Sequence, residues 1–129
     1  MFPLTCLTPN QCYVLLLPSD ETDQMIVFLH GLGDSAQNFS RASIVQQVWR
    51  EMQQGTFPPT VLMIPEGERG YWLDWVDGKH LYETWTINSI RTVVDQYDIE
   101  QTSLVGVSMG GLGALSLGLR YPDLIASMV

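Results

Sequence analysis

The sequence predicts an α/β fold, with a mainly parallel sheet covered by helices on both faces. Short, continuous apolar runs alternate with segments whose apolar residues recur at helical spacing. Strands that alternate with helices imply right-handed crossovers between parallel strands. With 46% hydrophobic and 16% charged residues, the chain has enough apolar side chains for a core, which excludes disorder. A length of 129 residues is typical of one domain, residues 1–129.

The predicted elements follow one another without repeats or linkers. Continuous apolar or β-branched runs predict five strands: Tyr13–Leu17, Met25–His30, Thr60–Ile64, Thr102–Val107 and the start of one at Leu124–Val129. Apolar periodicity and capping residues predict three helices: one from the N-cap candidates Asp34 and Ser35 to Gly55, one marked by Ile87, Ile90, Val94 and Tyr97, and one from Ser108 to about Arg120. The stretch Glu66–Leu81 has no period and is predicted to be a loop.

Charge and composition exclude several classes of partner. Six basic residues against fourteen acidic ones give a net charge of −8, so we expect no binding to nucleic acid or to anionic membranes. The uncharged run Gln101–Leu119 is long enough to suggest a membrane span. Its polar start and five glycines favour a buried strand followed by a helix instead. No His, Cys and Asp cluster has the spacing of metal ligands, and no cofactor is implied.

Two cysteines, Cys6 and Cys12, are close in sequence and could pair. One possible bridge does not make the disulfide framework of a secreted protein, so two ordinary thiols are the favoured interpretation. No basic segment precedes Tyr13–Leu17, and that run is too short for the core of a signal peptide. We therefore expect a cytoplasmic protein.

The strongest functional signal is Gly106-Val107-Ser108-Met109-Gly110. It lies between a predicted strand and a predicted helix, which is the context of the nucleophile elbow of serine hydrolases. The glycines could serve close packing alone, but that interpretation does not explain a serine at the turn itself. Ser108 is therefore the candidate nucleophile, with Gly106 and Gly110 as supporting residues.

A second glycine-rich turn, His30-Gly31-Leu32-Gly33, joins a predicted strand to a capped helix. In an α/β hydrolase, a loop in this place supplies one backbone donor of the oxyanion hole, and the residue after the nucleophile supplies the other. The candidate donors are the amides of Leu32 and Met109. The alternative is a plain turn before a helix; neither glycine pattern of a phosphate-binding loop is present.

Together these motifs resemble the carboxylesterase/phospholipase family of α/β hydrolases, which includes acyl-protein thioesterases and lysophospholipases. The segments that carry the resemblance are His30–Ser35, Tyr71–Trp75, Gly106–Gly111 and Tyr121-Pro122, within residues 24–129. The resemblance implies that a small acyl ester or thioester is cleaved through an acyl-enzyme on Ser108. It also implies that the ring of His30 supports its loop, together with Gly31 and Gly33. Met109 departs from the family, many of whose thioesterases have glutamine there.

The triad is incomplete in this sequence. In the α/β hydrolase order an Asp or Glu and then a His follow the serine, but only Asp123 and no histidine follow Ser108. Asp123 is expected to begin a turn, and His80 to lie in a solvated turn. We therefore expect the N-terminal part of a serine hydrolase, inactive or nearly so by itself. The alternative is a non-catalytic, hydrolase-like module that binds an acyl ligand or a partner.

Two features of the loop Glu66–Leu81 complete the predictions. Its acids are expected to be solvated and without a role in catalysis: Glu66, Glu68, Asp74 and Asp77. Its aromatic residues and those just after it could wall a substrate pocket or pack at the edge of the core: Tyr71, Trp72, Trp75, Tyr82 and Trp85. The sequence favours neither role.

Overall fold

The computed structural model describes residues 2–129 and contains one six-stranded sheet with the order β1-β2-β4-β3-β5-β6. The strands are β1 (Thr5–Thr8), β2 (Gln11–Leu16), β3 (Gln24–Leu29), β4 (Val61–Pro65), β5 (Gln101–Gly106) and β6 (Ser127–Met128). The helices are α1 (Ala36–Phe39), α2 (Ser43–Gln54), α3 (Tyr82–Gln96) and α4 (Met109–Arg120). The predicted α/β class is confirmed.

The sheet is parallel at its centre and antiparallel at one edge. β3 lies between β4 and β5 and is parallel to both, with Val27 opposite Met63 on one side and Leu104 on the other. β6 extends the parallel part beyond β5. β2 runs antiparallel to β4, and β1 antiparallel to β2. Strand β1 was not predicted, because all four of its residues are exposed and form no apolar run.

Helices cover both faces of the sheet, as predicted, because successive strand residues point to opposite sides. On one face, α1 and α2 pack on an apolar cluster that includes Phe28, Leu62 and Phe39. On the other face, α3 and α4 pack on a cluster that includes Ile90 and Leu117. The parallel strands β3, β4 and β5 all end at the same edge of the sheet, and the loops that follow them carry the candidate site residues.

The single helix predicted from Asp34 to Gly55 is wrong, since two helices occupy this segment. Ser35 caps α1 by accepting a hydrogen bond from Asn38 N, and Gly55 ends α2 with φ 78°. The chain breaks between the helices at Ser40, whose hydroxyl donates to the carbonyl of Gln37 over 2.6 Å. Ala42 is then extended, with ψ 149°. A serine hydroxyl that bonds to nearby backbone competes with helix continuation.

The prediction of two free thiols is also wrong, because Cys6 and Cys12 form a disulfide. The two residues lie directly opposite each other in the ladder between β1 and β2, with Cα atoms 4.0 Å apart. The pairing follows from the hairpin register, and β1 has no apolar run that would reveal that register in the sequence.

The uncharged run of residues 101–119 forms β5 and most of α4, as predicted. No helix within residues 2–129 combines the length and the apolar character needed to cross a membrane.

Candidate active site

Ser108 occupies a sharp turn between β5 and α4, with φ 56° and ψ −116°. This is backbone geometry that glycine adopts readily and other residues rarely do. A conformation of this kind costs about 1–3 kcal/mol and persists only where the surrounding structure imposes it. The serine is exposed at the carboxyl edge of the sheet, directly before the first turn of α4.

Gly106 and Gly110 allow the turn to form, because no side chain fits at either position. A Cβ atom on Gly106 would lie 1.9 Å from the carbonyl oxygen of Gly110. A Cβ atom on Gly110 would lie 1.9 Å from the carbonyl oxygen of Leu29, at the end of β3. The start of α4 therefore lies directly against the ends of β3 and β5.

The loop between β3 and α1 lies against this turn. A Cβ atom on Gly31 would lie 3.2 Å from the carbonyl oxygen of Val107 and 3.5 Å from Ser108 Cβ. Gly33 adopts φ 84° and turns the loop towards α1. Leu32, between these glycines, is half exposed, whereas the side chain of Met109 is buried under the turn. Within residues 2–129, neither the Leu32 nor the Met109 amide donates to a backbone carbonyl.

His30 is fully buried, and both nitrogens of its ring are engaged. Nδ1 lies 2.9 Å from the carbonyl oxygen of Gly31, so it supports the same loop. Nε2 lies 3.1 Å from Glu66 Oε2 and 3.0 Å from the backbone nitrogen of Gly67. The ring also packs edge-on against Trp72. With both nitrogens engaged, His30 has none free to take a proton from Ser108.

Glu66 corrects the expectation that the acids of this loop are all solvated. Its carboxylate accepts hydrogen bonds from the amides of Ala36 and Glu68, each over 2.9 Å, and contacts His30. Burial alone would raise the pKa of Glu66, but the bond to His30 and the two backbone donors outweigh it and lower the pKa. For His30 the directions are reversed, because burial alone would lower its pKa. The hydrogen bonds to Glu66 and Gly31, together with the negative charges of Glu66 and Asp34, outweigh burial and raise the pKa above its usual value.

Sequence reasoning missed Glu66 as a residue of this edge. One signal could have found it: Glu66 directly follows the buried strand β4, as His30 directly follows the neighbouring parallel strand β3. Carboxyl ends of parallel neighbours lie side by side, so the two side chains could be expected to meet.

The aromatic residues of the loop divide between the two roles left open by the sequence. Trp72 is completely buried and packs against Gly67 and Gly113, so it belongs to the core between the loop and α4. Tyr71 and Trp75 stay 43% and 41% exposed, although the ring of Trp75 packs against His80 and Tyr82. These two are therefore available to contact a ligand.

The remaining candidates have local partners or lie at the far end of α4 from Ser108. His80 bonds to Asp77 within a partly exposed turn. Asp74 accepts from the backbone and hydroxyl of Thr84, near the start of α3. Asp123 follows α4, whose twelve residues span about 18 Å, so it cannot orient a base at Ser108. No group of three or more possible metal ligands was found in the described part of the chain.

Residues 24–129 match the sequence model of one protein family, whose description is "alpha/beta hydrolase fold". The chain belongs to the α/β hydrolase fold family. The resemblance seen in the sequence is thus confirmed at the level of the fold. Membership in the group of thioesterases and lysophospholipases stays a prediction.

Solved structures of esterases share the fold of this chain. A ferulic acid esterase aligns with a TM-score of 0.74 at 18% identity, over 99% of this chain and 56% of its own. The fluorophosphonate-binding serine hydrolase F of Staphylococcus aureus aligns with a TM-score of 0.75 at 18% identity, over 99% and 54%. An S-formylglutathione hydrolase of the same organism gives 0.70 at 18% identity, over 98% and 55%. The chain therefore spans about half the length of these proteins.

Proposed function

We propose that this α/β hydrolase fold carries the nucleophile and the oxyanion hole of a serine hydrolase that cleaves esters or thioesters. The observation that carries the proposal is the backbone of Ser108, held at φ 56° between two glycines that no side chain could replace. Strain of this kind is concentrated at functional sites, and a turn needed only for packing would accept glycine here. A serine in a conformation suited to glycine points to a need for its hydroxyl.

The proposed reaction begins with attack of Ser108 Oγ on the carbonyl carbon of the substrate. The serine proton passes to a general base, and the carbonyl oxygen becomes an oxyanion that accepts hydrogen bonds from the amides of Leu32 and Met109. Collapse of the tetrahedral intermediate expels the alcohol or thiol, which takes up that proton, and leaves an acyl group on Ser108. Water then attacks the acyl-enzyme, releases the acid and restores the hydroxyl.

The general base is the missing part of this scheme. His30 is engaged on both ring nitrogens, His80 is paired with Asp77, and no histidine follows Ser108 in the sequence. The structures of related fold are about twice as long. We infer that an acid and a histidine would come from a part of the fold that these 129 residues do not supply, and that the chain by itself is nearly inactive.

The substrate class rests on the motifs and on the activities named for proteins of the same fold. A feruloyl esterase and an acetyl xylan esterase act on esters, and S-formylglutathione is a thioester. The His-Gly turn and the serine elbow resemble those of thioesterases and lysophospholipases. A small acyl ester or thioester is therefore the substrate we propose, with no metal or organic cofactor.

Hydrolysis of a p-nitrophenyl ester tests this function, with Ser108→Ala and Ser116→Ala compared in the 129-residue chain. Ser116 is a matched control, since it lies on α4 two turns from the elbow. We expect slow release that Ser108→Ala lowers and Ser116→Ala leaves unchanged, because the Ser108 hydroxyl would lie beside the two proposed oxyanion donors even without a base. Equal rates for all three proteins would contradict the role of Ser108. Turnover at an ordinary enzymatic rate, abolished by Ser108→Ala, would contradict the missing base.

A further inference from the structure

We propose that Glu66 is a positioning residue of the oxyanion hole, which clamps the loop that carries the Leu32 amide. The catalytic consequence rests on the function proposed above, whereas the clamp itself is a property of the fold. The clamp consists of the Glu66 carboxylate and its three contacts, at His30, Ala36 and Glu68.

The contacts of Glu66 hold the oxyanion loop at both ends. His30 directly follows β3, and Ala36 is the first residue of α1, so Leu32 lies between two points fixed by one carboxylate. Glu66 Oε2 lies 3.1 Å from His30 Nε2, and Glu66 Oε1 accepts from Ala36 N over 2.9 Å. Glycines on both sides of Leu32 give this loop little stiffness of its own. An external clamp is therefore what keeps its amide in place.

The clamp is itself held rigidly. The backbone nitrogen of Glu66 donates to the carbonyl of Cys12 in β2 over 2.9 Å. The amide of Glu68 donates to Glu66 Oε2, so the turn after β4 also fixes the carboxylate. Only 20% of the Glu66 side chain is exposed, and charge-assisted hydrogen bonds of this kind are about twice as strong as neutral ones.

One atom of the clamp, His30 Nε2, has two competing partners. When the ring is neutral with its proton on Nδ1, that nitrogen donates to Gly31 and Nε2 accepts from the amide of Gly67. When the ring is protonated, Nε2 donates to Glu66 instead. The charged groups that act on the ring are Glu66 and Asp34, both acidic, and they favour the protonated form. Glu66 thus bonds to His30, Ala36 and Glu68 when the ring is protonated, and only to Ala36 and Glu68 when the ring is neutral.

The variant Glu66→Gln tests the clamp, with Glu100→Gln as the matched control. Glu100 is an exposed glutamate before β5, at the opposite edge of the sheet. A glutamine replaces one carboxylate oxygen by an NH₂ group, which cannot accept from the amides of Ala36 and Glu68 or from the protonated His30 ring. We expect NMR titration to show a lower pKa for His30 in Glu66→Gln, and hydrogen exchange at Ala36 and Glu68, whose amides donate to the carboxylate, to quicken about tenfold. Glu100→Gln should change neither. An unchanged His30 titration and unchanged exchange in Glu66→Gln would overturn the proposal.

If Glu66→Gln does not fold, Glu66→Asp is measured instead. It keeps the charge but is one methylene too short to reach both ends of the loop. We expect the pKa of His30 to stay raised while exchange at Ala36 quickens. If the Ala36 amide exchanged as slowly in Glu66→Asp as in the wild type, the clamp would be overturned. The length of the side chain at position 66 would then have no effect on the loop.

The catalytic consequence has a separate measurement. Glu66→Gln should lower the slow, Ser108-dependent cleavage of a p-nitrophenyl ester at least tenfold through kcat, with KM little changed, since a misplaced donor acts on the transition state. An unchanged kcat would overturn the positioning role. A wild type that shows no Ser108-dependent cleavage would contradict the proposed function, and the clamp would be judged by the titration and exchange measurements alone.

Discussion

Replacement of Gly110 by alanine tests the close approach of α4 to the sheet, on which the geometry of Ser108 depends. The added Cβ atom would lie 1.9 Å from the carbonyl oxygen of Leu29, 2.5 Å from its carbonyl carbon and 2.8 Å from the carbonyl oxygen of His30. All three are backbone atoms of the central strand or its end, so no side chain can move aside. The first turn of α4 must move instead.

The size of the effect follows from these distances. An ordinary contact needs about 3.4 Å, so α4 would have to withdraw by roughly 1.5 Å from β3. Overpacking of a tight core typically costs about 1–3 kcal/mol, and occasionally more. Alanine recovers up to about 1 kcal/mol through helix propensity. Because backbone cannot repack, we take the upper end of the overpacking range and expect a net loss of about 2 kcal/mol in the free energy of unfolding.

Urea denaturation followed by circular dichroism measures this loss, with Gly111→Ala as the control one residue further on. A Cβ atom on Gly111 would lie 3.6 Å from the carbonyl oxygen of Gly106, its nearest neighbour outside its own helical turn, which is an ordinary contact. Gly111→Ala should be neutral or stabilising by up to about 1 kcal/mol. If Gly110→Ala were as stable as Gly111→Ala, the account of the elbow would be refuted.

Three further predictions concern strain, pH and the disulfide. Ser108→Gly should raise the free energy of unfolding by about 1 kcal/mol in urea, because relief of the left-handed backbone outweighs the entropy of an added glycine; a lower stability would contradict the strain. Thermal scans should show that Glu66→Gln destabilises most between about pH 4.5 and 6.5. The raised pKa of His30 gives stability that is present below 6.5 and lost as pH rises through the folded-state value, whereas the lowered pKa of Glu66 gives stability that is present above 4.5 and lost as pH falls. A cost independent of pH would contradict this coupling. Mass spectrometry after alkylation of the unreduced, denatured protein should find no modified cysteine, and reduction should cost about 2 kcal/mol for so short a loop; two alkylated cysteines without reductant would contradict the pairing.

The parts of the fold that sequence predicts here are those with local signals. The buried strands β3 and β5 appear as continuous apolar or β-branched runs, and the elbow combines a run of this kind with glycines at a fixed spacing. β1 gives no such signal, because its residues face solvent and it forms only by pairing with β2. The break at Ser40 depends on one hydroxyl that bonds to Gln37, which composition does not reveal.

The site divides in the same way. The positions of Ser108 and Gly31 follow from motifs that are contiguous in sequence. The role of Glu66 depends on its contacts with His30 and Ala36, which are distant in sequence. These contacts form only when β3 and β4 lie side by side. A carboxylate after a strand is usually solvated, and only tertiary packing turns this one towards His30.

Acylation at position 108 tests the central claim most directly, and a cysteine there removes the need for the missing base. The variant Ser108→Cys places a thiol at the N-terminus of α4, which lowers thiol pKa values, beside the two proposed oxyanion donors. Both Ser108→Cys and Ser116→Cys, which lies on the same helix, are treated with p-nitrophenyl acetate without reductant, and peptide mapping locates the acetyl group. The thiol at position 108 should be acetylated at least about tenfold faster than the thiol at position 116. Equal rates at the two positions would contradict a preorganised nucleophile and oxyanion site.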